Sequence, residues 1–238
     1  MKLKILYEDE SIIVAVKPAG VPSQDDRTNS ESMLSMLKLR IFEEENLKEE
    51  PYLAAIHRLD RPVGGIMVFA RQQEVAAALS EQSRQGTMQK YYQAVLTGEL
   101  PNDAGELNDY LYHDKQHNIT KVVPEGTEGS KYACLTYEVL DVFETDGGAL
   151  SYVLIQLGTG RHHQIRVQMA HAGAGIYGDK KYNPAKMKNA GKRSSGGYEE
   201  IALHASRLEF DHPVTGAHMC FKDEPEGGAF EVIELAEF

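Results

Sequence analysis

The sequence predicts an α+β fold with a largely antiparallel mixed sheet and flanking helices, on three observations. Short β-branched or aromatic runs are typical of strands, and amphipathic stretches are typical of helices. The two kinds of segment follow one another without a regular strand–helix–strand alternation, which disfavours a doubly wound parallel sheet. Because the chain shows no internal repeat and no linker long enough to separate two cores, we expect one domain over residues 1–238.

The strand pattern occurs in short segments along the whole chain. Ile12–Val16 is β-branched, and the Pro- and Gly-containing run after it ends the strand. Ile66–Ala70 is apolar throughout, which indicates a strand buried on both faces. The other strands are predicted over residues 91–96, 132–139, 152–157 and 201–210.

The helix pattern occurs in three segments. Thr28–Leu39 is amphipathic, with Asn29 or Ser30 as the candidate cap, and Gln73–Ser83 is rich in alanine. Apolar residues at helical spacing predict a third helix over Ile165–Ala172. Two polar segments read as connections, an acidic exposed one over residues 43–50 and a mobile basic loop over residues 183–198.

Composition excludes several classes of protein. The chain has 238 residues, 42% of them hydrophobic and 26% charged, which is ordinary for a globular protein. No apolar run approaches the roughly 18 residues that span a bilayer. The first ten residues turn acidic before a signal-peptide core can form, so we expect a cytoplasmic protein. Cys134 and Cys220 lie far apart, which disfavours a disulfide scaffold and a cysteine zinc site.

The charge is unevenly distributed. A net charge of −11 argues against a nucleic-acid partner, because phosphate binding requires Lys and Arg. Residues 158–207, however, contain nine Lys and Arg against three Asp and Glu. Since screening acts over about 8–10 Å, this local excess matters more than the total. A phosphate-binding surface and a solvated basic face are equally compatible with the charge alone.

The first polar cluster spans residues 57–62. It places Asp60 between Arg58 and Arg61, immediately before Val63-Gly64-Gly65 and a buried strand. Nearby cations favour the ionised carboxylate, which can act as nucleophile or base. On these six residues alone, a surface ion-pair cluster at a turn is the simpler interpretation.

The second polar cluster spans residues 158–166. Its glycines occupy two of the three positions of a dinucleotide fingerprint, but His163 occupies the third, so that interpretation fails. If Ile165 begins a helix, Arg166 projects from the first turn and can hold a carboxylate such as Asp60, or a phosphate. The adjacent histidines lack zinc-ligand spacing, and packing or hydrogen bonding to RNA is favoured for them.

Two tyrosines begin the predicted strand over residues 91–96. Alternation along the strand directs one ring inward and the other outward. Both rings can serve in packing, and one of them can alternatively stack on a nucleotide base.

Taken together, four polar segments occur in a fixed order and cover nearly the whole chain. They are His57-Arg58-Leu59-Asp60 with Gly65 and Phe69-Ala70-Arg71, Lys90-x-Tyr92-x-Ala94 to Gly98, Gly160-Arg161-x-His163-Gln164-Ile165-Arg166-Val167 with Gly178-Asp179-x-x-Tyr182, and Leu203-His204-Ala205-x-Arg207-Leu208 with His212-Pro213-Val214-Thr215-Gly216. This set resembles the motifs of RluA-type pseudouridine synthases, and Ile5-Leu6-Tyr7-Glu8-Asp9 and Lys17-Pro18-Ala19-Gly20 also match that family.

The resemblance implies a pseudouridine-synthase-like domain with long loops around a central cleft, and a role for each matching residue. Asp60 would be the catalytic carboxylate, either attacking the uridine or its ribose or abstracting a ribose proton. Tyr92 would stack on the uracil and assist proton transfer, and Arg166 would pair with Asp60. Arg58 would help to extrude the uridine, and Leu203 would line the floor of the pocket.

The resemblance also implies the partners. The substrate would be rRNA or tRNA with a loop uridine, because flipping a base that is already partly unstacked costs less. Arg161, His163 and Gln164 would bind this RNA. Isomerisation of uridine requires neither redox chemistry nor hydrolysis, so no cofactor and no metal are expected, and no obligatory protein partner is indicated.

Two departures from the family pattern leave alternatives. The family usually has Thr-Ser-Gly where this chain has Val63-Gly64-Gly65, so a hydroxyl is lost. Many relatives carry an S4 RNA-binding domain before the catalytic one, and we expect none here, which leaves phosphate contact to residues 158–207. A catalytically idle RNA-binding protein on the same fold is therefore the alternative function. A hydrolase ranks last, because no second acid partners Asp60 in the sequence.

Overall fold

The computed structural model describes residues 3–26, 30–183 and 200–234. Its contacts divide the chain into two units, one comprising Met1–Gln89 and Ala205–Glu224, the other Lys90–His204 and Pro225–Phe238. The expectation of one domain over residues 1–238 stays a prediction.

The first unit is built on antiparallel strand pairs. Its strands are β1 (Lys4–Glu8), β2 (Ile12–Lys17), β3 (Ala54–Ala55), β4 (Gly64–Ala70), β10 (Leu203–Asp211) from Ala205 onward, and β11 (His218–Lys222). They lie in the order β1-β2-β4-β10, with β3 beside β4 and β11 beside β10. The predicted strands 12–16 and 66–70 are confirmed as β2 and β4.

Two helices accompany these strands. Helix α1 spans Met33–Glu44 and begins later than predicted, because Ser32 and Ser35 form a reciprocal capping box with N···O distances of 2.9–3.0 Å. Of the candidate caps, Asn29 lies outside the described residues and Ser30 precedes the helix. Helix α2 spans Gln73–Gln85, as predicted apart from its last two residues. The predicted acidic connection is exposed, although its first two residues belong to α1.

The core of the first unit forms between sheet and helix. Every residue of β4 is buried, so this strand has apolar contacts on both faces. Alternate residues of β2 and β4, Val75 and Leu79 of α2, and Leu208 and Phe210 of β10 form one cluster. The apolar run in the sequence is thus explained by burial on both sides of a sheet.

The second unit contains the longer strands. They are β5 (Gln89–Thr97), β6 (Ala104–Asp114), β7 (Ile119–Val123), β8 (Lys131–Phe143) and β9 (Leu150–Leu157), with neighbours in the order β5-β9-β8-β6-β7. Pairing is antiparallel between β5 and β9, β8 and β9, β6 and β8, and β6 and β7. Short helices α3 (Gln164–His171) and α4 (Glu231–Glu234) complete the unit.

Strands β6 and β7 were not predicted from the sequence. Polar residues such as Glu106 and Asn108 obscure β6, because they have low strand propensity. The strand nevertheless alternates, since Leu111 points inward and packs on Ala133 of β8 and Val167 of α3. Alternation of Leu107 and Leu111 with polar neighbours was the available signal.

The predicted α+β fold with a largely antiparallel sheet is confirmed. The predicted mobile loop over residues 183–198 lies outside the described residues, apart from Asn183, which is buried and donates to the Thr97 hydroxyl. Across the described ranges, no helix combines the length and apolar character needed to cross a membrane.

Candidate active site

The structure distributes the predicted site residues between the two units. Asp60 and Arg58 belong to the first unit. The second unit holds the remaining six, which are Tyr92, Arg161, His163, Gln164, Arg166 and Leu203. Each group has a distinct local environment.

Asp60 lies in a loop between β3 and β4 that is fixed on its N-terminal side by Ser23. The Ser23 hydroxyl donates to the carbonyl of Leu59 at 2.7 Å, and the Leu59 amide donates back to the same hydroxyl at 3.0 Å. Both residues are buried, so water does not compete for these bonds. Arg58, which precedes Leu59, is exposed, whereas Asp60, which follows Leu59, is half-buried.

The same loop is fixed on its C-terminal side by Gly20. The Gly20 amide donates to the carbonyl of Arg61 at 2.7 Å, and Nε of Arg61 donates to the Gly20 carbonyl at 2.9 Å. A turn bond from the Val63 amide to the Asp60 carbonyl, 3.0 Å long, closes the loop. The backbone on both sides of Asp60 is therefore held in place.

The Val63-Gly64-Gly65 segment continues the loop into β4. Val63 is buried, so its apolar side chain contributes to packing. The usual Thr-Ser-Gly of the RluA-type pattern would instead place a hydroxyl in this segment. Gly65 has a φ of 122°, and a Cβ built there would lie 2.5 Å from the backbone nitrogen of Ala205. Only glycine fits at this position, because the backbone of the neighbouring strand β10 approaches it.

The C-terminal motif 212–216 forms a bridge within the first unit. Nδ1 of buried His212 accepts from the amides of Val214 and Thr215, so Nε2 carries the proton and donates to the Asp9 carboxylate at 2.9 Å. Burial acts against the charge of Asp9, but hydrogen bonds from Ile12, Ser11, Tyr7 and His212 outweigh it and lower the pKa of Asp9. This motif therefore joins the β1–β2 turn to the β10–β11 turn.

In the second unit, Tyr92 and Tyr91 lie on opposite faces of β5. Tyr92 is buried with 6% exposure and pairs with Ile155 of β9, whereas Tyr91 is half-exposed. The predicted inward and outward orientation is thus confirmed. Leu203, at the start of β10, is also buried.

Arg166 projects from the first turn of α3, as predicted, and forms a buried ion pair with Asp179. Nε lies 2.7 Å from Oδ2 and one terminal nitrogen lies 2.9 Å from Oδ1, so the pair is bidentate. The Asp179 carboxylate also accepts the amides of Lys181 and Tyr182, and the guanidinium lies over the Tyr182 ring. Asp179 and Tyr182 received no role from the sequence, although both stand in its third motif.

His163 precedes α3 in a left-handed conformation with φ of 53°. Its Nδ1 lies 2.7 Å from the Tyr182 hydroxyl, which accepts the amide of Thr120, and its ring stacks on His162 at 3.6 Å. Burial, followed by the charge of Arg166, lowers the pKa of His163 to about 2. The imidazole is therefore neutral at physiological pH and can donate or accept a hydrogen bond without carrying charge.

Gln164 and Arg161 stabilise the turn before α3. The Gln164 side-chain oxygen accepts from the Thr159 hydroxyl and the Arg161 amide, and its nitrogen donates to the Cys134 carbonyl. Arg161 is exposed, with one nitrogen bonded to the carbonyl of Tyr132 at 2.8 Å. Gln164 thus has internal partners on both polar atoms, and its contact with RNA stays a prediction.

No cluster of three or more His, Cys, Asp or Glu side chains suited to a metal ion occurs among the described residues. Of the nine cations in residues 158–207, Lys186, Lys188, Lys192 and Arg193 lie outside the described residues.

Comparison with known proteins adds independent evidence. The family model described as RNA pseudouridylate synthase matches residues 11–171. The chain is 32% identical over 219 residues to ribosomal large subunit pseudouridine synthase D of Xanthomonas campestris, covering 90% of this chain and 63% of that relative. It is 31% identical over 237 residues to tRNA pseudouridine synthase C of Yersinia pestis, covering 95% of this chain and 89% of that relative.

Solved structures show the same fold. Human RNA Pseudouridylate Synthase Domain Containing 4 matches with a TM-score of 0.76 and 24% identity, covering 98% of this chain and 91% of that one. Human RNA Pseudouridylate Synthase Domain Containing 1 matches with a TM-score of 0.71 and 18% identity, covering 99% and 95%. At these identities the likeness establishes the architecture, and function depends on the residues that carry the chemistry.

Proposed function

The chain belongs to the RNA pseudouridylate synthase family, and we propose that it isomerises uridine to pseudouridine in RNA. In this reaction the N1–C1′ bond of the nucleotide breaks, the base rotates, and a C5–C1′ bond forms. A proton leaves C5 and N1 gains one, so atoms balance without any redox partner or water. The proposed substrate is a loop uridine of rRNA or tRNA, and the proposed location is the cytoplasm.

The observation that best supports this proposal is the fixed backbone on both sides of Asp60. Leu59 is bonded to Ser23 and Arg61 is bonded to Gly20, so the intervening carboxylate has a defined starting position. A half-buried, held carboxylate suits either attack on the substrate or removal of a ribose proton.

The roles of the other residues are part of the proposal. Tyr92 would stack on the uracil, and Leu203 would contribute apolar surface. Arg166, which Asp179 orients through two hydrogen bonds, would also pair with the Asp60 carboxylate. Exposed Arg58 would help to extrude the uridine from the RNA stack.

Arg161 and His163 would contact the RNA from the turn before α3. Arg161 offers an exposed guanidinium, which suits a phosphate. Neutral His163 suits a hydrogen bond to a sugar or base and is unsuited to general acid catalysis near neutrality.

The test compares wild-type protein with Asp60→Asn on total RNA. Pseudouridines are mapped by carbodiimide labelling in RNA from cells with and without the gene product, and then in purified RNA treated with each protein. We expect new labelled positions with wild-type protein only. Asp60→Asn should bind RNA with an affinity within about threefold of wild type, because the substitution keeps size and removes charge.

Asp146→Asn is the matched control, since Asp146 is an exposed acid on the β8–β9 connection. It should leave product formation unchanged. A wild-type protein that binds RNA but leaves every uridine unmodified would overturn the proposal and favour the idle RNA-binding alternative.

A further inference from the structure

Lys17 is a charged side chain buried in the first unit. It ends β2 with no solvent exposure and is among the largest fully buried side chains of the described residues. The preceding residues Ile12–Ala15 are buried and apolar, so an apolar side chain would suit this strand at lower cost. A buried ammonium in this place therefore needs a reason other than packing.

The contacts of the Lys17 ammonium join two loops. Nζ donates to the carbonyls of Pro18 at 2.9 Å, Val21 at 2.7 Å and Arg61 at 3.3 Å. The first two carbonyls belong to the turn after β2. The third belongs to the loop that carries Asp60, 44 residues away along the chain.

The three carbonyl contacts stabilise the charged form of Lys17 and partly oppose the cost of burying it. An ammonium has three N–H donors and no acceptor, which matches three carbonyls. A neutral amine has two donors, and its lone pair would face a carbonyl oxygen. Loss of the proton therefore removes one bond and introduces a repulsion.

Lys17 is also coupled electrostatically to Asp60. Burial lowers the pKa of Lys17 to about 7, while the charge of Asp60 raises it and the charge of Arg61 lowers it further. The buried ammonium of Lys17 and the carboxylate of Asp60 therefore attract each other.

We propose that Lys17 is a positioning residue for Asp60. Its ammonium donates a hydrogen bond to the carbonyl of Arg61, the residue that follows Asp60, and places a buried positive charge near the proposed catalytic carboxylate. The inference rests on the proposed function and assigns to Lys17 the placement of the loop that carries Asp60.

Two charged groups of the facing loop act on Lys17. The turn of residues 18–23 and strand β4 contain no titratable side chain. The facing loop carries His57, Arg58, Asp60 and Arg61, of which Asp60 and Arg61 act on Lys17. On the flanking strands, Lys4 of β1 is paired with Asp223, and Arg207 of β10 is paired with Glu209.

The test uses Lys17→Met, which keeps length and removes charge. Its matched control is Ser23→Ala, which removes the uncharged tether of the same loop at Leu59. Single-turnover rates and KM are measured with a uridine-containing RNA that wild-type protein modifies, from pH 6 to pH 9. Thermal unfolding of each full-length variant confirms that the protein is folded.

We expect Lys17→Met to lower the rate at pH 6.5 at least about tenfold, with KM changed by less than about threefold. The wild-type rate should fall as pH rises above about 7, because the ammonium is then lost. Lys17→Met should lack this decline. Ser23→Ala should be slower than wild type and still show it, because its Lys17 is intact.

Each contrary result is informative. A Lys17→Met rate within twofold of wild type overturns the inference, as does a shared decline in all three proteins. A wild-type rate that stays level from pH 7 to pH 9 also refutes it, and this measurement needs no folded variant. Wild-type protein that makes no pseudouridine at any pH refutes the proposed function itself, and the inference falls with it.

Discussion

Removal of one charge from the buried Arg166–Asp179 pair gives the sharpest test of the second unit. The substitution Asp179→Asn keeps size but replaces one carboxylate oxygen with an N–H group. Oδ1 can still accept the amides of Lys181 and Tyr182, whereas the amide nitrogen at the Oδ2 position would face Nε of Arg166. One charge-assisted hydrogen bond is therefore exchanged for two opposed donors.

The expected loss of stability follows from burial. The side chains of Arg166 and Asp179 are only 8% and 1% exposed, so solvent does not compensate for the lost charge. Breaking a buried pair by removal of one partner typically costs about 3–5 kcal/mol. For a chain of this length that corresponds to a fall in Tm of roughly 6–20 °C.

Urea unfolding of the full chain, followed by circular dichroism, measures this loss. The first control is Glu50→Gln, which removes an exposed partner of Lys38 and should leave the midpoint unchanged. The second is the double variant Arg166→Met/Asp179→Leu, which should recover most of the stability because no unpaired charge remains. A loss below about 1 kcal/mol for Asp179→Asn would refute the reasoning.

Three further predictions concern the first unit. The pKa of Lys17 is lowered to about 7 in the folded state, so above that pH the unfolded chain keeps a proton that the folded chain has lost. Wild-type stability, measured by urea midpoints, should therefore rise between pH 7 and pH 9, and this rise should be absent in Lys17→Met. Because the pKa of Asp9 is lowered in the folded state, the ionised carboxylate stabilises the fold above its ordinary pKa, and this stabilisation is lost at lower pH. Between pH 6 and pH 3, the urea midpoints of wild-type protein should therefore fall more than those of Asp9→Asn. Gly65→Ala should destabilise far more than Gly86→Ala, since both have positive φ but only the Cβ at Gly65 meets the backbone of Ala205; equal losses in Tm would contradict this.

The predictions of strands and helices were correct where the hydrophobic periodicity of the sequence was strong. Strands β2 and β4 and helix α2 followed directly from β-branched, apolar and alanine-rich runs. Helix α1 began later than predicted because its start depends on the capping box of Ser32 and Ser35, and several nearby polar residues could equally cap a helix. Strand β6 was missed because its stability comes from pairing with β8 rather than from propensity.

The candidate site likewise contains residues that the sequence identified and residues that only the structure revealed. The sequence singled out Asp60 and Arg166 from the order of its motifs, but it gave no role to Asp179, whose carboxylate is engaged by Arg166 thirteen residues away. It also treated Lys17 only as part of a matching segment. Both omissions concern buried charges, whose partners are set by the fold and not by local spacing.

The amino-acid sequence by itself determined the family, the α+β class and the carboxylate expected to perform the chemistry, because motif order and hydrophobic periodicity are properties of the linear chain. Only the tertiary structure decided what holds that carboxylate: Ser23 reaches Leu59 across 36 residues and Lys17 reaches Arg61 across 44. Hydrogen bonds over such separations form only when distant segments pack together, so no local pattern encodes them.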